Sequence, residues 1–423
     1  MKKVYTGLLI LGLLLISGCQ RVTVTTEHLQ LKNVACQNLG SSFVVPECSM
    51  RRPLKDCLSR DEAFALAIAN NQTLQSQLQD IGVAKADLVQ AGLYTNPLLA
   101  IVSNLPFQKL NVPNYSITTS FALADLWQTP LRKKIFHAQV QSAIYQMIQN
   151  ILDLKVQVRK AYDAVVYAQN QLTPAQQAVK ELMHDEAYTS IDAAKAQVDV
   201  EAAQVRVSTA FITLYTILGI DDFALQTKLC DTLEMVPPIP ALEILCCWSQ
   251  ESRPEIANAR WKIEQYKATV TYEKVRVVKD VNMGFSYAQD FTLNTGLGPE
   301  FDTHVPLFDQ NQSAIARNQF LLEKSLREYE AVQLKIKAEV YQNYQTFISI
   351  AKQLDSYQHQ IIPGYKALML SKPQDDTVAK NLQESQSKLI DLYYNAHTVF
   401  ADLERAVGRE IAVKPKLVQN VSC

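Results

Sequence analysis

The 423 residues are 48% hydrophobic and 20% charged, and 41 Lys and Arg against 42 Asp and Glu leave a net charge of -1. There is neither the basic excess nor the basic block that an electrostatic nucleic-acid binder needs, so no nucleic-acid partner is expected. Glycine is scarce, 12 residues in 423 where globular chains average about 7%, which disfavours glycine-loop nucleotide sites and loop-built enzymes and favours long helices.

In chain order, Lys2 and Lys3 precede an apolar run from Leu8 to Ile16 that ends in Ser17-Gly18-Cys19. The run is too short to span about 30 Å of hydrocarbon as a helix, so residues 1–18 are expected to be a cleaved export signal. Small residues ahead of a cysteine resemble a bacterial lipoprotein signal, which implies that Cys19 is acylated and becomes the new N-terminus. An ordinary secretory signal with a coincidental cysteine is the alternative. Gln20, rather than aspartate, after the cysteine implies by the same resemblance sorting to the outer membrane. Cleavage removes two lysines and no acids, leaving 39 basic against 42 acidic side chains and a mature charge of -3. No other segment reaches 18 consecutive apolar residues, so a mature chain that crosses a membrane must do so as β-strands.

Cys36, Cys48, Cys57, Cys230, Cys246, Cys247 and Cys423 follow Cys19, an odd number that leaves at least one thiol over. Disulfides are favoured over a metal site, because no CxxC spacing and no nearby histidine supports one.

After an N-terminal segment, 19–56, the chain is read as two copies of one plan, residues 57–229 and 247–412, with a C-terminal tail at 413–423. Leu126-Trp127 recurs as Leu307-Phe308, and Phe211, Leu214 and Gly219 recur as Phe400, Leu403 and Gly408. The linker, 230–246, contains Pro237-Pro238-Ile239-Pro240, a stiff extended stretch.

Each copy is predicted to run helix, strand, strand, long helix, helix. Asp61 is expected to cap a first helix reaching about Leu93. Ile117, Thr119, Phe121 and Leu123 then alternate with Ser116, Thr118, Ser120 and Ala122. In the second copy Val281, Met283, Phe285 and Tyr287 alternate with Asn282, Gly284, Ser286 and Ala288, and Leu297, Phe301, Thr303 and Val305 with Gly298, Glu300, Asp302 and His304. A period of two with one apolar and one wet face suits a barrel wall with lipid outside and water inside. It also suits a soluble sheet packed on helices, and alternation alone does not separate the two.

Beyond the strands the period becomes seven. Val140, Ile144, Met147, Ile151, Leu154, Val158, Ala161 and Val165 keep a strict 4,3 spacing, so a rod is predicted from Leu131 to Thr173 and further if it passes Pro174. The second copy repeats the seam through Leu322, Tyr329, Ile336, Val340, Phe347 and Leu354, interrupted by Gln333 and Asn343. Four strands are too few to close a membrane barrel, for which about eight is the minimum, so several chains must share one. Trp127 and Phe308, read as matching strand ends, are expected either at the membrane interface or in the core.

The duplicated plan, Ala91-Gly-Leu-Tyr-Thr-Asn-Pro-Leu98 and Val305-Pro-Leu-Phe-Asp-Gln-Asn-Gln-Ser-Ala-Ile-Ala-Arg317 together resemble the TolC family of outer-membrane efflux ducts, with the second segment similar to the junction in its cobalt-zinc-cadmium efflux branch. The resemblance implies a mainly α homotrimer with a small membrane β portion, forming a 12-stranded β-barrel above a long periplasmic α-helical barrel. It further implies a periplasmic adaptor, an inner-membrane pump of RND or ABC type, outer-membrane lipid around the barrel, and passive conduction of cargo, metal cations among the candidates. A type I secretion duct of the same fold and a periplasmic coiled-coil scaffold lipoprotein are the alternatives. The glycines usual before the basic residues of the first junction and at the first hairpin tip are absent here, at Trp127-Gln-Thr-Pro-Leu-Arg132 and Glu186-Ala-Tyr-Thr-Ser-Ile-Asp192.

The histidines, His28, His137, His184, His304, His359 and His397, are scattered without HExxH or paired spacing, and no nucleophile elbow is present. No catalytic residue, metal site or cofactor is therefore expected. Asp185, Glu186, Ser190, Asp192, Asp375 and Asp376 fall near the expected periplasmic tips, where they would meet an adaptor or form an acidic gate; a solvated acidic surface is the competing reading. Glu300, Asp302 and His304 are expected to face the lumen.

Overall fold

In the computed structural model, which describes residues 22–39, 57–105, 112–184, 190–224, 227–233, 238–371 and 375–411, both halves of the chain follow the helix, strand, strand, long helix, helix order. The first half comprises α1 (Thr25–Leu39), β1 (Cys57–Leu58), α2 (Arg60–Asn70), α3 (Gln72–Ala91), β2 (Leu98–Asn104), β3 (Asn114–Ala122), α4 (Asp125–His184), α5 (Ser190–Leu218) and β4 (Lys228–Leu229). The second comprises α6 (Leu242–Ser252), α7 (Pro254–Val275), β5 (Val281–Gln289), β6 (Thr295–Thr303), α8 (Gln312–Ser356), a π-helical turn (Tyr357–Ile361), α9 (Ile362–Ser371) and α10 (Asp376–Val407).

The first predicted helix is corrected at both ends. Ser59, not Asp61, caps it: the Ser59 hydroxyl accepts from the Glu62 N–H and the Glu62 carboxylate accepts from the Ser59 N–H, both at 3.3 Å. Reciprocal satisfaction of two orphan donors outweighs a single aspartate two residues further in. The helix also stops at Asn70 instead of reaching Leu93. Asn71 is extended, and its side chain accepts from Leu74 N–H and donates to the Ile217 carbonyl, each at 2.9 Å, so it starts α3 as a new helix. The rod does continue past Pro174 and starts before Leu131: α4 has 60 residues, about 90 Å of rise.

The chain divides into two compact units, one drawn from residues 1–27, 80–143 and 259–328 and the other from 28–79, 144–258 and 329–423. In the first, β2, β3, β5 and β6 form an antiparallel sheet in that order, so the two copies meet at the β3–β5 seam, with Ile117 opposite Tyr287 and Thr119 opposite Phe285. Gly284 makes that seam possible, since a Cβ there would stand 2.0 Å from the Thr119 carbonyl oxygen. Below the sheet, Asp125 accepts from the Thr95 N–H at 2.5 Å and from Arg132 at 3.0 Å, and the Gln128 amide donates to the Val278 and Lys279 carbonyls at 3.2 and 3.1 Å. Because Asp125 opens α4, Trp127 lies in the first turn of that helix and not at a strand end, whereas Phe308 stands in the irregular segment before α8, 93% exposed. The two junctions are thus not equivalent.

In the second unit the α4 seam residues from Ile144 to Val165 are buried, as the heptad requires. An antiparallel ladder of polar contacts fixes α4 to α10: Asp153 with Arg405 at 2.5 Å, Arg159 with Glu404 at 2.5 Å, Lys160 with Asp402 at 2.6 Å, and the Tyr167 hydroxyl donating to Asp391 at 2.8 Å. On its other side α10 packs on α8 through Phe347 against Phe400 and Leu354 against Leu392. A second polar knot surrounds Arg253, whose side chain is 1% exposed and bonds Glu255 at 2.6 Å, Glu339 at 2.9 Å and the Arg405 carbonyl.

Where the first copy begins and ends, β1 and β4 pair in parallel and a disulfide links Cys57 to Cys230. Beside it Arg60 bonds the fully buried Asp163 at 2.7 Å, and the Tyr162 hydroxyl donates to the Leu58 carbonyl at 2.8 Å while accepting from the Asp231 N–H at 3.1 Å. Cys247 is disulfide-bonded as well. Burial pushes the Cys246 thiol above its ordinary pKa.

Pro174 and Pro363 sit deep in the rods rather than ending them. Proline removes a helical hydrogen bond and crowds the carbonyl four residues back. In the second copy the π turn at Tyr357–Ile361 precedes Pro363 and opens the ladder where the ring would clash; α4 stays α-helical through Pro174.

Burial also holds the Glu404 carboxyl above its ordinary 4.5, only partly offset by Arg159 and Lys155. The folded chain therefore binds this proton more tightly than the unfolded chain. Its contribution to stability is full below pH 4.5 and is lost as pH rises through the folded pKa. Glu404→Gln is expected to flatten that part of the stability profile, read from the unfolding temperature of both proteins at pH 4 to 8; an unchanged slope would contradict it.

Candidate functional site

The sheet sorts its side chains by chemistry. Residues with odd numbers on all four strands share one face: Leu99, Ile101, Ile117, Phe121, Met283, Phe285, Leu297 and Phe301 are apolar and exposed. A soluble sheet would bury such a face, and here Leu297 is 75% and Ile101 67% exposed. Nine-residue strands such as β5 and β6 rise about 30 Å along their length, enough, when tilted, for an apolar belt about 25 Å tall.

The even-numbered face is wet over β3, β5 and β6, while the edge strand β2 keeps Leu98 and Val102 on it. It carries Ser116, Thr118, Ser120, Asn282, Ser286, Glu300 and Asp302, and a hydroxyl pair, Thr118 with Ser286 at 3.1 Å, bridges the seam between copies. Glu300 stands opposite Gly284 and Asp302 opposite Asn282, both exposed. No lysine or arginine occurs in the four strands. His304 follows the end of β6, with its Nδ1 3.5 Å from Asp280, and nearby Lys279 pairs with Asp309 at 2.6 Å, which draws the Asp309 carboxyl below its ordinary pKa. The structure therefore brings Glu300 and Asp302 onto one face and leaves His304 just past its end.

Both outer strands, β2 and β6, are hydrogen-bonded on one side only. Exposed backbone edges of this length are templates for another strand.

The tip residues are less fully placed. Cys19, Asp185 and Glu186 lie outside the described residues. Ser190 opens α5 and Asp192 follows within it; Asp375 caps α10, accepting from the Thr377 N–H at 3.1 Å, and Asp376 is the first residue of that helix. Among the described residues no group of three or more His, Cys, Asp or Glu is arranged to hold a metal ion, and no helix is long and apolar enough to cross a membrane. Sequence reasoning did not single out the Arg60–Asp163 and Arg159–Glu404 pairs, which join segments 103 and 245 residues apart; no local spacing signals such contacts.

No protein-family model and no curated protein sequence matches the chain. Solved structures do. The chain superposes on CusC, known from structures that follow folding and transmembrane channel formation, with a TM-score of 0.67 at 14% identity over 87% of this chain and 97% of that one. The open-state MtrE outer-membrane channel of Neisseria gonorrhoeae gives 0.66 at 13% identity over 87% and 97%, and the Campylobacter jejuni CmeC outer-membrane channel 0.64 at 14% over 82% and 85%. Agreement over nearly the whole length of such chains is agreement in fold: the chain has the duplicated, mainly helical fold of these outer-membrane channels.

Proposed function

We propose that the chain is the outer-membrane duct of a tripartite efflux system, a member of the TolC family that conducts cargo passively and makes or breaks no bonds. The observation that carries this reading is the sheet with one exposed apolar face, an opposite face that is wet over β3, β5 and β6, and two unpaired edges. Three chains supply the 12 strands a closed barrel needs, with Glu300, Asp302 and His304 toward the lumen. Residues 1–18 are the export signal and Cys19 the acylated anchor; the copies at 57–229 and 247–412 flank the linker 230–246. Asp185, Glu186, Ser190, Asp192, Asp375 and Asp376 mark the periplasmic entrance, where an adaptor and an RND or ABC pump deliver cargo.

The test is direct. Full-length protein extracted from outer membranes is expected to run as a heat-modifiable trimer and to give discrete conductance steps in planar bilayers, and Cys19→Ser to lose lipid labelling while retaining conductance. A water-soluble monomer without conductance would sink the reading and favour the scaffold alternative.

A further inference from the structure

Cys247 lies within α6, half-buried and disulfide-bonded. Cys57 and Cys230 hold each other, and Cys36 and Cys246 form no disulfide, so the partner of Cys247 is Cys19, Cys48 or Cys423. The lipid proposed above for the Cys19 sulfur leaves two.

The surroundings of Cys247 decide between them. α10 ends at Gly408, whose left-handed backbone (φ +79°) turns the chain aside. The residues that follow are pinned to α6 and to the end of α10. The Arg409 guanidinium lies 4.3 Å over the ring of Trp248, the residue after Cys247. Ile411 is buried in one cluster with Leu245, and its N–H donates to the Glu404 carboxylate at 3.1 Å. Residues 412–423 therefore leave from beside Cys247, and twelve residues can span up to about 40 Å, whereas a disulfide needs its Cα atoms only about 5.5 to 6 Å apart. Cys48 is tethered instead through Cys57, which is held on α4 by the Tyr162 hydroxyl at the Leu58 carbonyl and by β4. Of two tethers of similar length, the one rooted beside its target gives the higher effective concentration.

The first copy follows the same course. α5 ends at Gly219, also left-handed (φ +70°), and Cys230 beyond it bonds Cys57 at the start of that copy. Gly408 repeats Gly219, and Cys423 lies at a similar remove beyond it. We infer that Cys247 is joined to Cys423, so that the C-terminal tail is stapled to α6 and each copy of the repeat is closed by a disulfide of its own. Each thiol gives up one hydrogen as the S–S bond forms, and the two protons and two electrons reduce a protein disulfide of the oxidising compartment to a dithiol. Cys246 does not compete for Cys423. It packs on the cluster around Leu245, and burial with Glu243 nearby keeps its thiol protonated and a poor nucleophile.

The inference rests on the export proposed above, and the experiment separates the two. Full-length protein from outer membranes, denatured in iodoacetamide without reductant and digested, is expected to yield a peptide with Cys247 linked to one with Cys423, and the same link in a Cys246→Ser variant, which removes the neighbouring thiol from the assignment. A link from Cys247 to Cys48 or Cys19 overturns the pairing, as does an alkylated Cys247 in protein whose Cys57–Cys230 bond is intact. Alkylation of Cys57, Cys230, Cys247 and Cys423 alike refutes export as well. Thiol counts give an independent sign: Cys423→Ser is expected to gain one alkylatable thiol per chain and Cys48→Ser to lose one, and the reverse pattern overturns the assignment.

Discussion

Gly284→Val is expected to abolish the heat-resistant oligomer and to reduce channel activity by more than tenfold, while leaving helical circular dichroism near that of the parent. The added Cβ would lie 2.0 Å from the Thr119 carbonyl oxygen and 3.0 Å from the Ser120 Cα. Those atoms are backbone on the neighbouring strand, so relief requires separating β3 from β5. These strands pair over eight positions from Tyr115–Gln289 to Ala122–Asn282, and they are where the first and second copies meet. Breaking the seam splits one sheet into two hairpins, neither of which is independently stable in water. Semi-native electrophoresis before and after heating, with bilayer recording, reads the outcome. Normal assembly would show that the seam can shift and that glycine is not required.

The second large effect concerns the clasp at the ends of the first copy. Replacing Cys57 and Cys230 together by serine is expected to destabilise the helical unit by about 4 to 5 kcal/mol, since the bond closes a loop of 173 residues. Asp163→Asn should cost about 3 kcal/mol, because it leaves Arg60, 20% exposed, without the buried carboxylate 2.7 Å away. Denaturant unfolding of the three proteins, with and without reductant, checks both: reductant should destabilise the parent by more than the double serine variant, which keeps the disulfide of Cys247, and the difference is the contribution of the Cys57–Cys230 bond. If Asp163→Asn proved neutral, the ion pair would be a passenger on the disulfide.

These two sites illustrate what could be read beforehand. The strand faces were legible because a period of two needs only neighbours, and Ile117 beside Thr118 already declares which side each takes. The α4 seam was legible for the same reason at a period of seven. The stop at Asn71 was not, because apolar positions such as Leu74, Leu78 and Ile81 keep the helix period across the break, and only the side chain's bond to Ile217 explains it. Nor could spacing join Cys57 to Cys230, Arg60 to Asp163 or Arg159 to Glu404, which depend on how the copies fold back. Of the candidate site residues, alternation alone put Glu300 and Asp302 on one face of their strand, whereas the tip acids rested on resemblance.

The π turn ahead of Pro363 has a consequence for symmetry. One residue inserted into an α-helical ladder rotates everything beyond it by about 100°. α8 and α9 therefore present different meridians above and below Tyr357, whereas α4 keeps a single phase past Pro174. Gene duplication would give a wall of alternating, interchangeable hairpins. A phase step present in one copy and missing from its twin makes the hairpins inequivalent from that level onward, so the wall repeats once per chain and not twice. In the duct proposed above, hairpins that differ beyond this level are free to diverge in what each one touches.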